Sequence, residues 1–210
     1  MSNPTRNEHD LPRTQLSDEI KVRVEGHLKI TQYENEEDTK GVVLLDKRNA
    51  IHPEHMSILI ARSVAHRSNG PLYSMYFGSG GATVDPLGDI TYATPNTSGS
   101  ADLNTPTYFE VIDDNNGAPS GNSMTVRHIN GTLFSDVEIR CVLSKNEPFT
   151  QPAFDSLSGQ NINTTAFVFS EIGLKTQDDL LITHVVFSPI MKSSNRIIEA
   201  VYVLRFRMFV

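Results

Sequence analysis

From Ile198 to Met208 every even position is Ile, Ala, Tyr, Leu, Phe or Met, while the odd positions carry Glu199, Val201, Val203, Arg205 and Arg207. A period of two sends successive side chains to opposite faces. The pattern therefore predicts a strand, Ile198–Val210, with one buried face and one mixed, partly charged face. Upstream, Ala166–Leu174 (AFVFSEIGL) and Leu180–Arg196 (LLITHVVFSPIMKSSNR) are largely apolar. The C-terminal third reads as sheet built for packing and pairing, with no chemical constellation in it. Near the other end, Ile20, Val22 and Val24 alternate with Lys21, Arg23 and Glu25, a first strand. His27–Tyr33 follows Gly26 as a second strand, Glu34–Asp38 is an acidic turn, and Gly41–Leu45 resumes an apolar run.

One helix is predicted. Met56, Leu59, Ile60 and Val64 recur at helical spacing, Asn49 supplies capping chemistry, and Pro53 suits a first turn. Glu54 favours the positive helix start, Arg62, His66 and Arg67 favour its end, and Asn69–Gly70 is the stop. Such a helix would cover a sheet face or edge. Leu72–Phe77 is a short strand running into Gly78-Ser79-Gly80-Gly81, and Ala82–Pro106 is a long excursion rich in Thr, Asn, Ser, Gly and Pro. Long excursions in compact domains tend to be functional or ordered by a partner. Tyr108–Ile112 returns to strand, Asp113–Asn122 is a polar loop, and Met124–Asn130 with Leu133–Ser144 forms a hairpin around Asn130–Gly131. In its second arm Val137, Ile139, Cys141 and Leu143 face one way and Asp136, Glu138 and Arg140 the other. A third loop, Lys145–Thr165, leads to the last strands. Residues 1–18 read as an arm, disordered or ordered by a partner. The expected fold is mostly β: residues 19–210 as a single β-sandwich or jelly-roll-like domain of roughly eight strands, with one flanking α-helix and long loops.

Composition narrows the function. A chain of 210 residues can bury a sizeable core. A net charge of −7 argues against nucleic acid as the main partner, because phosphate binding needs a basic stripe. The single cysteine, Cys141, cannot form an internal disulfide, and its place on the apolar side of a strand predicts a buried thiol. Residues 1–19 are polar and broken by prolines, so no signal peptide is expected, and no apolar run is long enough to span a membrane. The expectation is folding in a cytoplasm, with the sequons at Asn96, Asn130 and Asn163 as chance matches.

Candidate chemistry is sparse. His52-Pro53-Glu54-His55 is the nearest approach to a metal site, but Pro53 places His52 at the cap and no third ligand lies nearby in sequence. The Gly78–Gly81 turn lacks the Lys-Ser/Thr of a phosphate loop. Asp113–Asp114 and Asp178–Asp179 sit in polar turns, no nucleophile elbow is present, and the chain has no tryptophan for stacking a sugar, although Tyr73, Tyr76, Tyr92 and Tyr108 could substitute. No catalytic residue, metal or cofactor is expected.

Two stretches carry a resemblance. Phe77–Tyr92 (FGSGGATVDPLGDITY) is similar to a glycine-rich turn followed by a G-x-I-T-Y strand in virion structural proteins of tailed bacteriophages. Phe169–Leu174 (FSEIGL), then Leu180–Phe187 (LLITHVVF), then the closing amphipathic strand, resembles the ending of phage neck, collar and tail-associated proteins. The resemblance covers about half the chain, rests on structural residues and carries no catalytic residues. It implies a non-enzymatic subunit of a phage particle, most simply a neck or collar ring protein joining head and tail. Its partners would be further copies of itself and other neck, portal or tail proteins, with neither nucleic acid nor membrane. It would be located in the virion after assembly in the host bacterial cytoplasm. The expected contacts are the arm up to Ser17, the excursion Gly80–Thr105 (Gly80, Gly81, Tyr92, Pro95) and the loop Ser188–Asn195 with its flank (Met191, Lys192, Arg196). In the last of these Lys192 and Arg196 could pair with acidic neighbours. The alternative is a tail-fibre, baseplate or capsid-decoration module that binds a receptor or the capsid surface.

Overall fold

The period-two stretches form long antiparallel ladders in the computed structural model, which describes residues 21–112, 123–145, 147–148 and 166–209. Among these residues the elements are β1 (Lys21–Tyr33), β2 (Val42–Arg48), β3 (Ala50–Ile51), α1 (Pro53–Val64), β4 (Leu72–Gly78), β5 (Ala82–Val84) and β6 (Ile90–Tyr92). They continue with β7 (Pro106–Val111), β8 (Ser123–Asn130), β9 (Ser135–Leu143), β10 (Ala166–Thr176), β11 (Leu181–Ser193) and β12 (Ile197–Phe209). The chain is mostly β, with one helix among the described residues. The predicted arm 1–18, the polar loop Asp113–Asn122, and the Lys145–Thr165 loop apart from Lys145, Glu147 and Pro148 lie outside the described residues.

One five-stranded sheet has the order β2-β1-β12-β9-β8, a second has β3-β11-β10-β4-β7, and β5 and β6 form a separate pair. Both large sheets contribute to one buried cluster. Leu28, Ile30, Ile139, Cys141, Ile198, Tyr202 and Leu204 come from the first sheet; Phe77, Phe169, Ile172, Leu174, Val185 and Phe187 come from the second. The Phe169 ring meets Phe77 and Phe187 edge-on at centroid distances of 5.4 and 5.9 Å, a favoured aromatic geometry. Cys141 is buried, as its strand position predicts, and burial pushes its thiol well above the ordinary value.

The outer face of the first sheet is laced with charge pairs. Arg205 makes a bidentate pair with Asp136 at 2.8 and 2.7 Å, Arg127 pairs with Glu138 at 2.7 Å, and Arg140 pairs with Glu199. This is the mixed face that the alternation of β12 predicts.

Several boundaries differ from the sequence reading. The two predicted N-terminal strands are one, because β1 continues through Gly26, which pairs with Leu204 in an unbroken register with β12. Asn49 does not cap the helix; its N–H donates to Gly26 O, and His52 is the N-cap. The helix ends at Val64, before Asn69–Gly70. His66 takes φ +53° there, with the N–H of Arg67 donating to Arg62 O and that of His66 to Ser63 O. That is the Schellman pattern with histidine in the position glycine usually fills. Val64 is exposed, so the predicted apolar face buries Met56 fully and Leu59 and Ile60 in part.

The hairpin is β8–β9, but its connection is four residues, Gly131–Phe134, and Leu133 is exposed on it. The expected loop Ser188–Asn195 is largely strand, because β11 runs to Ser193. Finally, the buried face of the last strand ends early. Leu204 is buried, Phe206 half-buried and Met208 73% exposed, because the first sheet overhangs the second at that end.

Candidate functional site

The phase of β10 changes in mid-strand. Phe167 and Phe169 face the core before a register shift at Ser170, and Ile172 and Leu174 face it afterwards. Between Phe169 and Glu171 two steps of β10 run against four of β11, from Ile190 to Val186, so the extra residues of this bulge lie on β11. The phase change puts Glu171, Gly173 and Lys175 on the outer face of the second sheet, yet Glu171 and Lys175 are buried. What covers them is the excursion between β4 and β7.

Glu171 is the centre of this cover. Its Oε1 accepts from the backbone N–H of Gly80 (3.1 Å) and Thr105 (2.7 Å). Its Oε2 accepts from Asn104 N–H (3.0 Å), Asn104 Nδ2 (3.0 Å) and His184 Nε2 (2.9 Å). The N–H of Asn96 donates to His184 Nδ1 at 2.8 Å, which requires that nitrogen to be unprotonated. The network thus assigns the proton of His184 to Nε2, from which it is donated to the carboxylate. Burial alone would raise the Glu171 carboxyl, but the bonds from His184, Thr105 and Asn104 outweigh it and hold the group below its ordinary range. Both rings of contact close on the same loop, one at its ends and one at its middle.

Other residues fasten the rest of the excursion. His52 Nδ1 accepts the His55 N–H as the helix cap, and its Nε2 donates to Gly99 O at 3.1 Å. The His55 ring stacks on His52 at 3.6 Å and donates from Nδ1 to Leu181 O. Both nitrogens of His52 are therefore engaged, and its place at the helix entrance is structural. Lys175 Nζ pairs with Asp102 at 2.7 Å and lies 4.1 Å from the centre of the Tyr76 ring. Ser170 Oγ accepts from the Ala82 N–H. Gly173 leaves room for Leu103: a Cβ on that glycine would lie 2.7 Å from Leu103 Cδ1.

The expected contact residues are scattered by this geometry. Gly80 and Gly81 belong to the fastening. The N–H of Gly80 addresses Glu171, and a Cβ on Gly81 would lie 2.1 Å from Ser170 O. The glycine-rich turn does serve an anion, but the anion is a carboxylate of the same chain. Tyr92 is half-exposed and shares a 2.7 Å hydrogen bond with Ser188 Oγ, and Pro95 is half-buried beside it in the excursion. Met191 is 62% exposed on the outer face of β11. Lys192 is 1% exposed, because the β11–β10 register places it opposite Phe167 on the inner face, so it offers no surface charge. Arg196 does meet an acidic neighbour, Glu34 of the same chain, at 2.6 Å.

Lys192 belongs to a second polar group, at the inner face. Its Nζ has no hydrogen-bond partner among the described residues, and burial lowers the amine to about 8 against the pull of Glu147. Glu110, also facing inward, accepts a hydrogen bond from Tyr108, and burial followed by repulsion from Glu147 pushes its carboxyl up to about 7. Among the described residues, no three His, Cys, Asp or Glu side chains converge in a way that could hold a metal ion, and no helix is long and apolar enough to cross a membrane.

Glu171 and His184 escaped the sequence reading because they are far from the loop in sequence and isolated within apolar runs. Two signals mark them. The apolar phase of FVFSEIGL slips by one between Phe169 and Ile172, and single ionisable residues stand inside otherwise apolar strands, where they are seldom buried without partners. Chemically, the pair is saturated: the carboxylate has about four acceptor sites and takes five donors, leaving none for a substrate. Comparison with known proteins finds no matching family model, no matching curated protein and no matching solved structure.

Proposed function

We propose that this protein is a non-enzymatic structural subunit of a tailed-phage particle, of the neck or collar type, that assembles with copies of itself into a ring. The observation that carries the assembly reading is the contrast between its polar and apolar groups. The buried ionisable residues on the outer face of the second sheet, Glu171, Lys175 and His184, are consumed in fastening the excursion, whereas large apolar side chains stand exposed at sheet edges and ends. Val42, Val43 and Leu44 lie on β2, which pairs with β1 and is an edge of its sheet; Val22, Met208 and Phe209 lie at the overhang. Exposed apolar surface at edges is a liability unless a partner covers it. Placement in a phage particle is supported by the resemblance of the Phe77–Tyr92 and Phe169–Phe187 stretches. Heterologous contacts between identical copies close into rings when the rotation allows.

The test is native mass spectrometry with negative-stain imaging across a concentration series. Rings of defined copy number support the reading, and a strict monomer at every concentration counts against it. One observation favours the alternative, a receptor- or glycan-binding module: Phe109 is exposed and stacks on Tyr76 at 5.0 Å, forming an aromatic surface on the outer side of the second sheet. Under that alternative, Phe109→Ala abolishes retention on a glycan array while leaving oligomeric state unchanged.

A further inference from the structure

Two unlike charged features lie at different heights along β1. Towards its start, Glu25, His27, Arg48, Val203, Arg205 and Arg207 line a cleft of about 390 Å³ on the outer face of the first sheet. The lining sets three arginines against one carboxylate. Arg205 is engaged by Asp136, and Arg207 lies 3.7 Å from Glu25, which also takes Arg23 at 2.8 Å. Arg48, opposite His27 on β2, is exposed and has no ion-pair partner among the described residues. His27 itself is held by Asp46 at 2.7 Å. The cleft therefore keeps a positive surplus in a chain whose net charge is −7.

Beyond the far end of β1, the turn Glu34–Asp38 holds four carboxylates in five positions. Glu34 pairs with Arg196 at 2.6 Å, and Asp38 accepts from the N–H groups of Glu34, Lys40 and Gly41. The side chains of Glu36 and Glu37 are exposed and have no partner among the described residues. From Gly26 to Glu34 the strand rises roughly 26 Å, so a subunit cannot bring its own turn to its own cleft. Each charged feature also has apolar neighbours. Val42, Val43 and Leu44 follow the acidic turn, while Val22, Met208 and Phe209 adjoin Arg23 and Arg207, and all of them are exposed. The two ends match in both chemistries, acid to arginine and apolar to apolar.

We propose that the arginine-lined cleft receives the Glu34–Asp38 turn of a second copy, with Glu36 and Glu37 facing Arg48 and Arg207. This names the contact of the ring proposed above and rests on that reading. The contact is heterologous, each copy offering its cleft to one neighbour and its turn to the other, as a ring requires. Burial of the apolar margins supplies attraction, and the charges fix which end meets which. The like net charge of two copies opposes them weakly, because charges more than about 8 Å apart are largely screened at physiological ionic strength.

The test uses the full chain and two variants that remove no pairing within the subunit, Arg48→Glu and the double change Glu36→Lys with Glu37→Lys. Native mass across a concentration series reads assembly. Each variant alone should need about tenfold more protein to assemble, because it sets like charges against each other. Mixed in equal amounts, the two should assemble as wild type does, in oligomers containing both chains. In the mixture the glutamate-bearing cleft receives the lysine turn, and the arginine cleft receives the glutamate turn. A folding defect could not produce that rescue. If wild type assembles and both variants assemble equally well, or if mixing restores nothing, the cleft is assigned wrongly and the assembly reading stands. A wild type that stays monomeric at every concentration overturns the assembly reading itself. A monomer that binds poly-glutamate through Arg48 would give the cleft to an unrelated acidic partner, which also overturns the proposal.

Discussion

Replacing Glu171 with alanine tests whether the excursion is fastened to the second sheet as described. The carboxylate accepts five hydrogen bonds, three of them from backbone N–H groups of the excursion. Leaving a buried donor unmatched costs about 1–3 kcal/mol, so five would cost about 5–15 kcal/mol, as much as the whole stability of an ordinary domain, if the loop stayed in place. It will not stay. Detachment of the loop rehydrates the donors and limits the loss to about 3–5 kcal/mol, the range for breaking a buried pair by removing one partner. For a chain of this size each kcal/mol moves the melting temperature by about 2–4 °C, so the variant should melt roughly 6–20 °C lower. Hydrogen exchange locates the effect: the amides of Gly80, Asn96, Asn104 and Thr105 should lose protection while those of β1 and β12 keep it. The pH dependence has a definite sign. A carboxyl held below its ordinary value contributes stability that is present above that value and lost as pH falls through the folded value. The wild type should therefore lose the fastening in acid, below the ordinary glutamate value of 4.5, and the alanine variant should lack that acid slope. A variant that melts within about 2 °C of wild type with unchanged exchange at those four amides would refute the account.

Three further outcomes are expected. Glu110→Gln should stabilise the protein at pH 8 by up to about 3 kcal/mol, because a carboxyl raised from 4.5 to about 7 contributes stability that is full below 4.5 and lost as pH rises through 7; identical melting of variant and wild type at pH 5 and pH 8 would contradict this. Lys192→Met should stabilise by up to about 3 kcal/mol at pH 7, since the folded amine titrates near 8 and the wild type gains stability only as pH climbs from 8 towards 10.5; denaturant melts at pH 7 and pH 10 read the difference, and a destabilised variant at pH 7 would show that the amine has a partner after all. Leu204→Asp should abolish folding, because Leu204 is 1% exposed on the core face and an isolated buried carboxylate costs several kcal/mol; a cooperative melt like that of wild type would overturn the facing assigned to β12.

Alternation made the first sheet legible. Wherever one face packed on the core and the other met water, as at Val137–Leu143 and Ile198–Leu204, the inward and outward sets read from the sequence are those in the structure. It failed where both faces are covered. Phe169–Thr176 is buried on both sides, and its outer residues could not be told from core residues without knowing that a loop some 70–90 positions earlier lies over them. Sequence distance is also why the C-terminal third seemed empty of polar chemistry: Glu171 meets His184 across a hairpin, but its other partners are in the excursion. Met208 fails for a different reason. Periodicity reports which face a residue is on, and cannot report how far the opposing sheet extends. SPIMKSSN, with its proline and serines, reads as a loop that exposes Lys192, yet β11 carries Pro189 within its length and turns Lys192 inward.

The fastening of the excursion also bears on how such a protein would meet its neighbours. The outer face of the first sheet carries ion pairs that each join an accessible arginine to a largely covered carboxylate, so these charges are matched within the sheet rather than left for a partner. Around Glu171 and His184 the outer face of the second sheet is closed by its own loop, which these two residues and His52 hold from three directions. With that chemistry used inside the subunit, exposed apolar side chains are concentrated at the margins of the first sheet: the β2 edge and the end that carries Val22, Met208 and Phe209. Margins suit a ring, because each subunit must present two different contacts to two neighbours while its faces stay free for whatever lies above and below. A binding module would need the opposite arrangement, an open face and closed margins. The stacked Tyr76–Phe109 pair is where that arrangement would begin, and it lies at β4 and β7, on the side of the second sheet away from β3 and β11. Native mass and glycan retention at Phe109 thus interrogate separate properties of one molecule, and a result at either leaves the other interpretable.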